Sequence, residues 1–185
     1  MCRTVSKSSI GAERVMAATL DHVSEEVFYA RDGIVRIGPE EIDVVKRQAL
    51  FNPRRRCRIC AHPSTEDRLH EMIIVHAGDL YVHPHRHPGK SESFHIIEGR
   101  LSVVLFDDAG HEVDRIRMGP PGSGRAVFYR LSQALYHTVL LEDPIVVFHE
   151  VTNGPFVAGE TEFAPWAPGD GDAPAQAAFR AGLLA

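Results

Sequence analysis

From about Arg68 to Val151 the chain is cut into short strand-like runs by turn signals at nearly even spacing, and this punctuation leaves few folds open. Candidate strands occupy 70–76, 79–83, 93–98, 100–106, 111–117, 125–130, 136–141 and 145–151. Between them stand Asp107-Asp108-Ala109-Gly110, the loop Gly119-Pro120-Pro121-Gly122-Ser123-Gly124, the turn Glu142-Asp143-Pro144, and Asn153-Gly154-Pro155 after the last run. Gly, Pro, Asn and Asp favour turns because they supply positive φ, a preset φ, or a side chain that bonds its own backbone. Many short strands with such breaks predict a sandwich or a barrel.

The segment before this region reads differently. Residues 1–24 are mixed and polar and are expected to be a flexible tail, and Met1 to Ala12 are expected to lack a signal-peptide core. Glu26 to Ala30 and Ile34 to Ile37 read as short strands around Arg31-Asp32-Gly33. Pro39-Glu40-Glu41 opens a helix reaching about Leu50: proline suits the first turn, and two acids there meet the positive dipole end. Asn52-Pro53 ends it, and an arginine-rich loop follows. The expected organisation is one domain over 25–168, with strands, helix and arginine loop over 25–67 and the barrel over 68–151. The Ala-, Pro- and Gly-rich residues 169–185 form a C-terminal tail or a short helix.

A chain of 185 residues, 44% apolar and 24% charged, is long enough to bury a core of its own. Its net charge of −5 argues against broad nucleic-acid binding, which needs a basic surface. No apolar run reaches membrane-spanning length. Three cysteines make no even disulfide framework, and the expected compartment is the cytoplasm.

Within the β region, His85, His87, Glu92 and His137 form a ligand set for one divalent transition metal: Fe, Mn, Ni, Co or Zn. His85 and His87 are two apart and share a strand face. Glu92, Phe94 and Ile96 share another, as do His137, Val139 and Leu141, so the acid and the third histidine have apolar neighbours. Four protein ligands leave a five- or six-coordinate metal with an open position, which is compatible with catalysis. His83 and Tyr136 are the remaining candidates for acid–base work, since Glu92 is engaged as a ligand and no second inward carboxylate stands out.

Two local signals compete for attention. Cys57-Arg58-Ile59-Cys60 is a lone C-x-x-C, with neither a second ligand pair nor a βαβ context, and reads as two reduced structural cysteines. Arg54, Arg56 and Arg58 belong to a cluster whose forks match carboxylate or phosphate, and Lys90 sits between the histidine pair and Glu92. These four residues are substrate-binding candidates at a barrel mouth, for a sugar phosphate or a nucleotide sugar. The alternative for the cluster is solvation, or pairing with acids such as Glu66 and Asp67.

Taken together, Gly78, His85-Arg86-His87, Glu92 and Gly99 resemble the first cupin motif, and His137 resembles the histidine of the second. More narrowly, the chain resembles the WbuC-type cupin-fold metalloproteins. The resemblance rests on Arg56-Cys57-Arg58 with Cys60 and His62, Pro84 to His87, Lys90 to Phe94, Leu105 to Asp108 with Gly110, Gly154-Pro155-Phe156, and Phe163 to Pro168. It spans about residues 25–170. The second cupin motif usually carries Pro-x-Gly before its histidine, whereas residues 130–136 here contain neither, so the approach to His137 must be built differently.

The resemblance implies a mainly β protein: a cupin-type double-stranded β-helix (jelly-roll) barrel with a short N-terminal helix and a C-terminal wrap, binding one metal and forming a homodimer. It implies a link to bacterial surface-polysaccharide biosynthesis. The function expected is a metal-binding cupin acting on a small, carbohydrate-related molecule by isomerase, epimerase or oxygenase chemistry; the alternative is a non-catalytic, metal-bearing sugar-binding or regulatory module.

Overall fold

The computed structural model describes residues 19–184. The tail expected over 1–24 lies outside that range for residues 1–18, while Leu20–Ser24 form strand β1 rather than tail. The next strand, β2 (Val27–Ala30), pairs antiparallel with β1. Helix α1 (Pro39–Phe51) begins as its sequence predicts: Glu41 Oε2 accepts the Gly38 backbone N–H at 2.7 Å, and the acids occupy the first turn. At its end Asn52 N–H donates to the Gln48 carbonyl, and the Asn52 side chain accepts the Arg54 N–H.

The arginine loop expected after the helix is instead a strand, β3 (Arg56–Cys60), parallel to β2 and antiparallel to β4 (Leu69–Ala77). Arginines at alternate positions hide a two-sided strand. Cys57 and Ile59 are buried against α1, whereas Cys60 joins the barrel interior. The two cysteines thus lie in different cores, and both are free thiols. The stretches 34–37 and 79–83 are not strands. Val35 and Ile37 pack beside α1, and the Val82 carbonyl accepts a bond from Thr138 Oγ1 at 2.6 Å.

The remaining strands are β5 (His85–Arg86), β6 (Glu92–Glu98), β7 (Leu101–Phe106), β8 (Glu112–Met118), β9 (Phe128–Leu131), β10 (Tyr136–Leu141), β11 (Ile145–Asn153) and β12 (Glu162–Phe163). One sheet runs β1-β2-β3-β4-β11-β6-β9 and the other β12-β5-β10-β7-β8. The eight strands β4 to β11 divide as β4-β11-β6-β9 facing β5-β10-β7-β8, all antiparallel. That alternation of strands between two sheets is the eight-stranded jelly roll of cupins, and it assigns the fold class expected from the sequence.

Three apolar cores follow from this layering. The first fills the barrel, with Phe94, Ile96, Val103, Val139 and Phe148 among its members. The second lies outside the larger sheet, where α1 presents Val45 and Ala49 to Ile59 and Val75; complete burial of Val45 contributes roughly 1.5–3 kcal/mol. The third lies outside the smaller sheet, where the C-terminal wrap lays Ala164 and Trp166 on Val104, Phe106, Tyr136 and Leu140. The Trp166 ring packs tilted, 5.1 Å from Phe106, and Gly110, at φ +87°, passes so close beneath the indole that any Cβ there would strike it. Covered on both sides, β7 and β10 are buried along their whole length. The C-terminal segment ends in α2 (Ala173–Leu184). Among the described residues no helix is long and apolar enough to cross a membrane.

Candidate metal centre and cavity

The barrel encloses a cavity of about 350 Å³ that contains the histidine cluster. Its floor is set by strand register. On β10 the alternate residues His137, Val139 and Leu141 turn inward, and His137 is the direct register partner of His85 on β5. His85, His87 and His137 each offer a nitrogen within 4.8 Å of the others.

The chain itself orients all three rings. His85 Nδ1 lies 2.8 Å from the His83 carbonyl, His137 Nδ1 lies 3.1 Å from the Leu135 carbonyl, and His87 Nδ1 lies 3.3 Å from Thr161 Oγ1. A carbonyl can only accept, so Nδ1 of His85 and of His137 carries the proton, and Nε2 keeps a free lone pair when the ring is neutral. Such anchoring is the usual arrangement of metal-ligating histidines. Two of the rings are also kept neutral more firmly than usual. Burial, with the His137 charge adding to it, pushes His85 down to about 3, and burial also lowers His87.

Glu92 lies beside the cluster and is buried. Its Oε1 is 3.0 Å from His137 Nε2 and its Oε2 is 3.8 Å from His87 Nε2. Despite that proximity, His137 Nε2 makes no well-formed hydrogen bond among the described residues. Tyr129 Oη donates to the same Oε1 at 2.8 Å. Burial by itself would raise the Glu92 carboxyl, but the charges of His137 and His85 and the Tyr129 bond bring it below the usual carboxylate range. Burial tends to lower His137, and the neighbouring Glu92 charge more than offsets it. Three fixed imidazoles, an orphaned buried nitrogen and an ionised carboxylate fit a divalent transition metal.

The other expected site residues are scattered more widely. Tyr136 lies in the outer core, on the strand face opposite to His137 and under the Arg86 guanidinium at 4.5 Å. The His83 ring lies against Phe163 and 3.1 Å from the Ala164 carbonyl, and the His83 carbonyl accepts from His85 Nδ1. Lys90 lines the cavity but is occupied by Glu160 at 2.9 Å and the Pro155 carbonyl at 2.8 Å.

Of the arginines, Arg54 and Arg56 share Glu26, at 3.4 and 2.7 Å, rather than Glu66 and Asp67, and Arg54 lies outside the cavity wall. Arg58 lines the cavity and has no salt bridge among the described residues.

A second inward carboxylate exists, contrary to the sequence expectation. Glu150 on β11 lines the cavity, as do its alternate neighbours Phe148 and Thr152. Burial pushes its carboxyl well above the usual range, with the Glu92 charge adding to the effect and Arg58 and His137 opposing it. Thr152 is the register partner of Glu92, so Glu150 is diagonal to Glu92, about 7–8 Å away. The signal was present in the sequence: Val146, Phe148 and Glu150 share one parity. His95 and His149 pair with each other across β6 and β11 on the opposite face from Glu150 and Phe94.

In comparisons with known proteins, residues 37–118 match a family described as a domain of unknown function, DUF6016. No curated protein matches the chain. Among solved structures it is similar to a protein from Shewanella oneidensis, at 10% identity and a TM-score of 0.46, over 56% of this chain and 66% of that one. It is similar to a cupin domain from Schizosaccharomyces pombe, at 12% identity and 0.41, over 53% and 64%. It is also similar to the oxalate decarboxylase of Bacillus subtilis, a protein with Mn(II) centres, at 18% identity and 0.39, over 50% and 23%. The chain spans less than two thirds of each of these structures, and the fold assignment rests on the strand order described above.

Proposed function

We propose that the chain is a metal-dependent enzyme that converts a small polar molecule inside its barrel, with His85, His87, His137 and Glu92 as the metal ligands. The observation that carries this reading is the shared treatment of the three imidazoles, each held through Nδ1 by an oxygen of the chain. A divalent transition metal held there supplies Lewis acidity toward a carbonyl or hydroxyl oxygen, and iron adds dioxygen chemistry.

The residues around the ligands support conversion over mere binding. Tyr129 fixes one oxygen of Glu92, which sets the acid's orientation toward the histidines. Glu150 supplies the protonatable group that Tyr136 and His83 do not, because it faces the cavity and holds its proton more tightly than an ordinary carboxyl. Phe94, Val139 and Phe148 exclude bulk water from the cavity floor. Proton transfer at a carbon beside an oxygen, as in isomerisation or epimerisation, suits this set. The resemblance to WbuC-type proteins directs the reading toward carbohydrate-related substrates of bacterial surface-polysaccharide synthesis, and toward a cytoplasmic homodimer.

The test is water access. Protein loaded with Mn(II) should enhance the relaxation of solvent protons, because an open ligand position exchanges with water. Bound metal without enhancement would leave a non-catalytic binding or regulatory module. Failure of wild-type protein to hold metal would remove the proposal.

A further inference from the structure

Two polar cavity-lining groups, Arg58 and Glu150, form no salt bridge among the described residues. Among the described residues Arg58 of β3 has no salt bridge, whereas Arg56 and Lys90 of the same lining are paired with Glu26 and Glu160. Glu150 lies on the same wall and makes neither a salt bridge nor a side-chain hydrogen bond among the described residues.

Register fixes their separation. Arg58 pairs with Ile74 on β4, and Ile74 pairs with Phe148 on β11, two residues from Glu150. The two backbones are therefore two strand spacings apart, roughly 9–10 Å, with an offset of two residues along the strand. Met72, Ile74 and Phe148 form the surface between them. The two side chains thus leave from backbones on either side of an apolar floor. A ligand complementary to this wall carries an oxyanion at one end and a hydroxyl donor a few bonds away.

We infer that the cavity takes a small hydroxylated oxyanion, with its charged group on Arg58 and a hydroxyl on Glu150. This rests on the proposed function only in sharing its cavity. A guanidinium fork accepts phosphate and carboxylate alike, and bonds to a charged group are among the stronger ones. The Glu150 carboxyl is diagonal to Glu92, so a hydroxyl bound there lies on the side of the cavity that holds the histidines.

The experiment is calorimetric titration of the full-length protein, both metal-free and Mn(II)-loaded, at fixed ionic strength. The probes are inorganic phosphate, acetate and glycerol phosphate. Phosphate and acetate decide which oxyanion is preferred. Glycerol phosphate should bind more tightly than inorganic phosphate, by the added hydroxyls. Arg58→Ala should weaken the preferred anion about tenfold or more. Arg117→Ala, on exposed β8 of the other sheet, should change nothing. Glu150→Gln should erase the gain from the hydroxyls while leaving inorganic phosphate bound. Metal content measured on the same samples reports separately on the metal reading, since metal-free protein still carries Arg58. Equal binding by wild type and Arg58→Ala, or no binding of any probe to wild type, would overturn the inference, and a hydroxyl gain that survives Glu150→Gln would remove its second half.

Discussion

His85 and His137 stand directly opposite each other across β5 and β10, with ring centroids 4.6 Å apart. Loss of solvent around the His85 ring disfavours its charge, and a charged His137 at that distance adds repulsion, so the His85 pKa is pushed down to about 3. A half-buried imidazole facing a buried one is stable when one or both remain neutral, and neutral imidazole is the form that ligates metal.

Tyr129→Phe removes one hydroxyl that donates to Glu92 at 2.8 Å. Leaving the buried carboxylate one donor short should destabilise metal-free protein by about 1–3 kcal/mol. The freed carboxylate also loses its orientation, so metal affinity should fall about 10–100-fold. Chelator competition measures the second effect. Unchanged affinity would show that Glu92 is not held for the metal.

Gly99 connects β6 to β7 at φ +77°, and a Cβ there would run into the Ile145 carbonyl oxygen and Val146. Gly99→Ala therefore combines left-handed strain with a backbone clash, for a loss of about 2 kcal/mol or more. For a chain of this size that is roughly 4–8 °C in Tm. A melting curve matching wild type would mean the turn relaxes freely.

Glu150 gives metal-free protein a specific pH dependence. Its carboxyl is raised in the folded state, so folded protein binds that proton more tightly than the unfolded chain does. The associated stability is complete below the ordinary carboxylate range and drains away as pH climbs through the raised value. Glu150→Gln lacks this loss, so its stability relative to wild type should increase from acid to mildly alkaline pH. Denaturant unfolding at several pH values reads the difference, and a constant offset would contradict the placement of Glu150.

Much of the barrel was legible because its strands alternate cleanly or are bounded by turns. Runs such as Glu92-Ser93-Phe94-His95-Ile96 and Tyr136 to Leu141 name both the element and the inward face. The helix was legible from Pro39, its first-turn acids and Asn52. What stayed hidden depended on partners distant in sequence. β3 reads as an arginine loop because its charges face the cavity wall and Glu26 pairs with Arg54 and Arg56 only after folding. β12 is two residues long and exists because β5 offers it an edge. In the candidate site, the shared parity of His137, Val139 and Leu141 was readable, but the same parity that turns His137 inward turns its neighbour Tyr136 outward. Glu150 is hard to single out in the sequence because a lone acid in an apolar strand resembles a solvent-facing residue until the sheet closes over it.

Elemental analysis of protein purified without chelator tests most directly whether His85, His87 and His137 hold one metal ion with Glu92 beside them. Wild type should carry close to one equivalent of a divalent transition metal, and His137→Ala should carry about a tenth of that or less while remaining folded. Wild-type protein that takes up no metal when offered it, or a His137→Ala variant that keeps a full equivalent, would contradict the account.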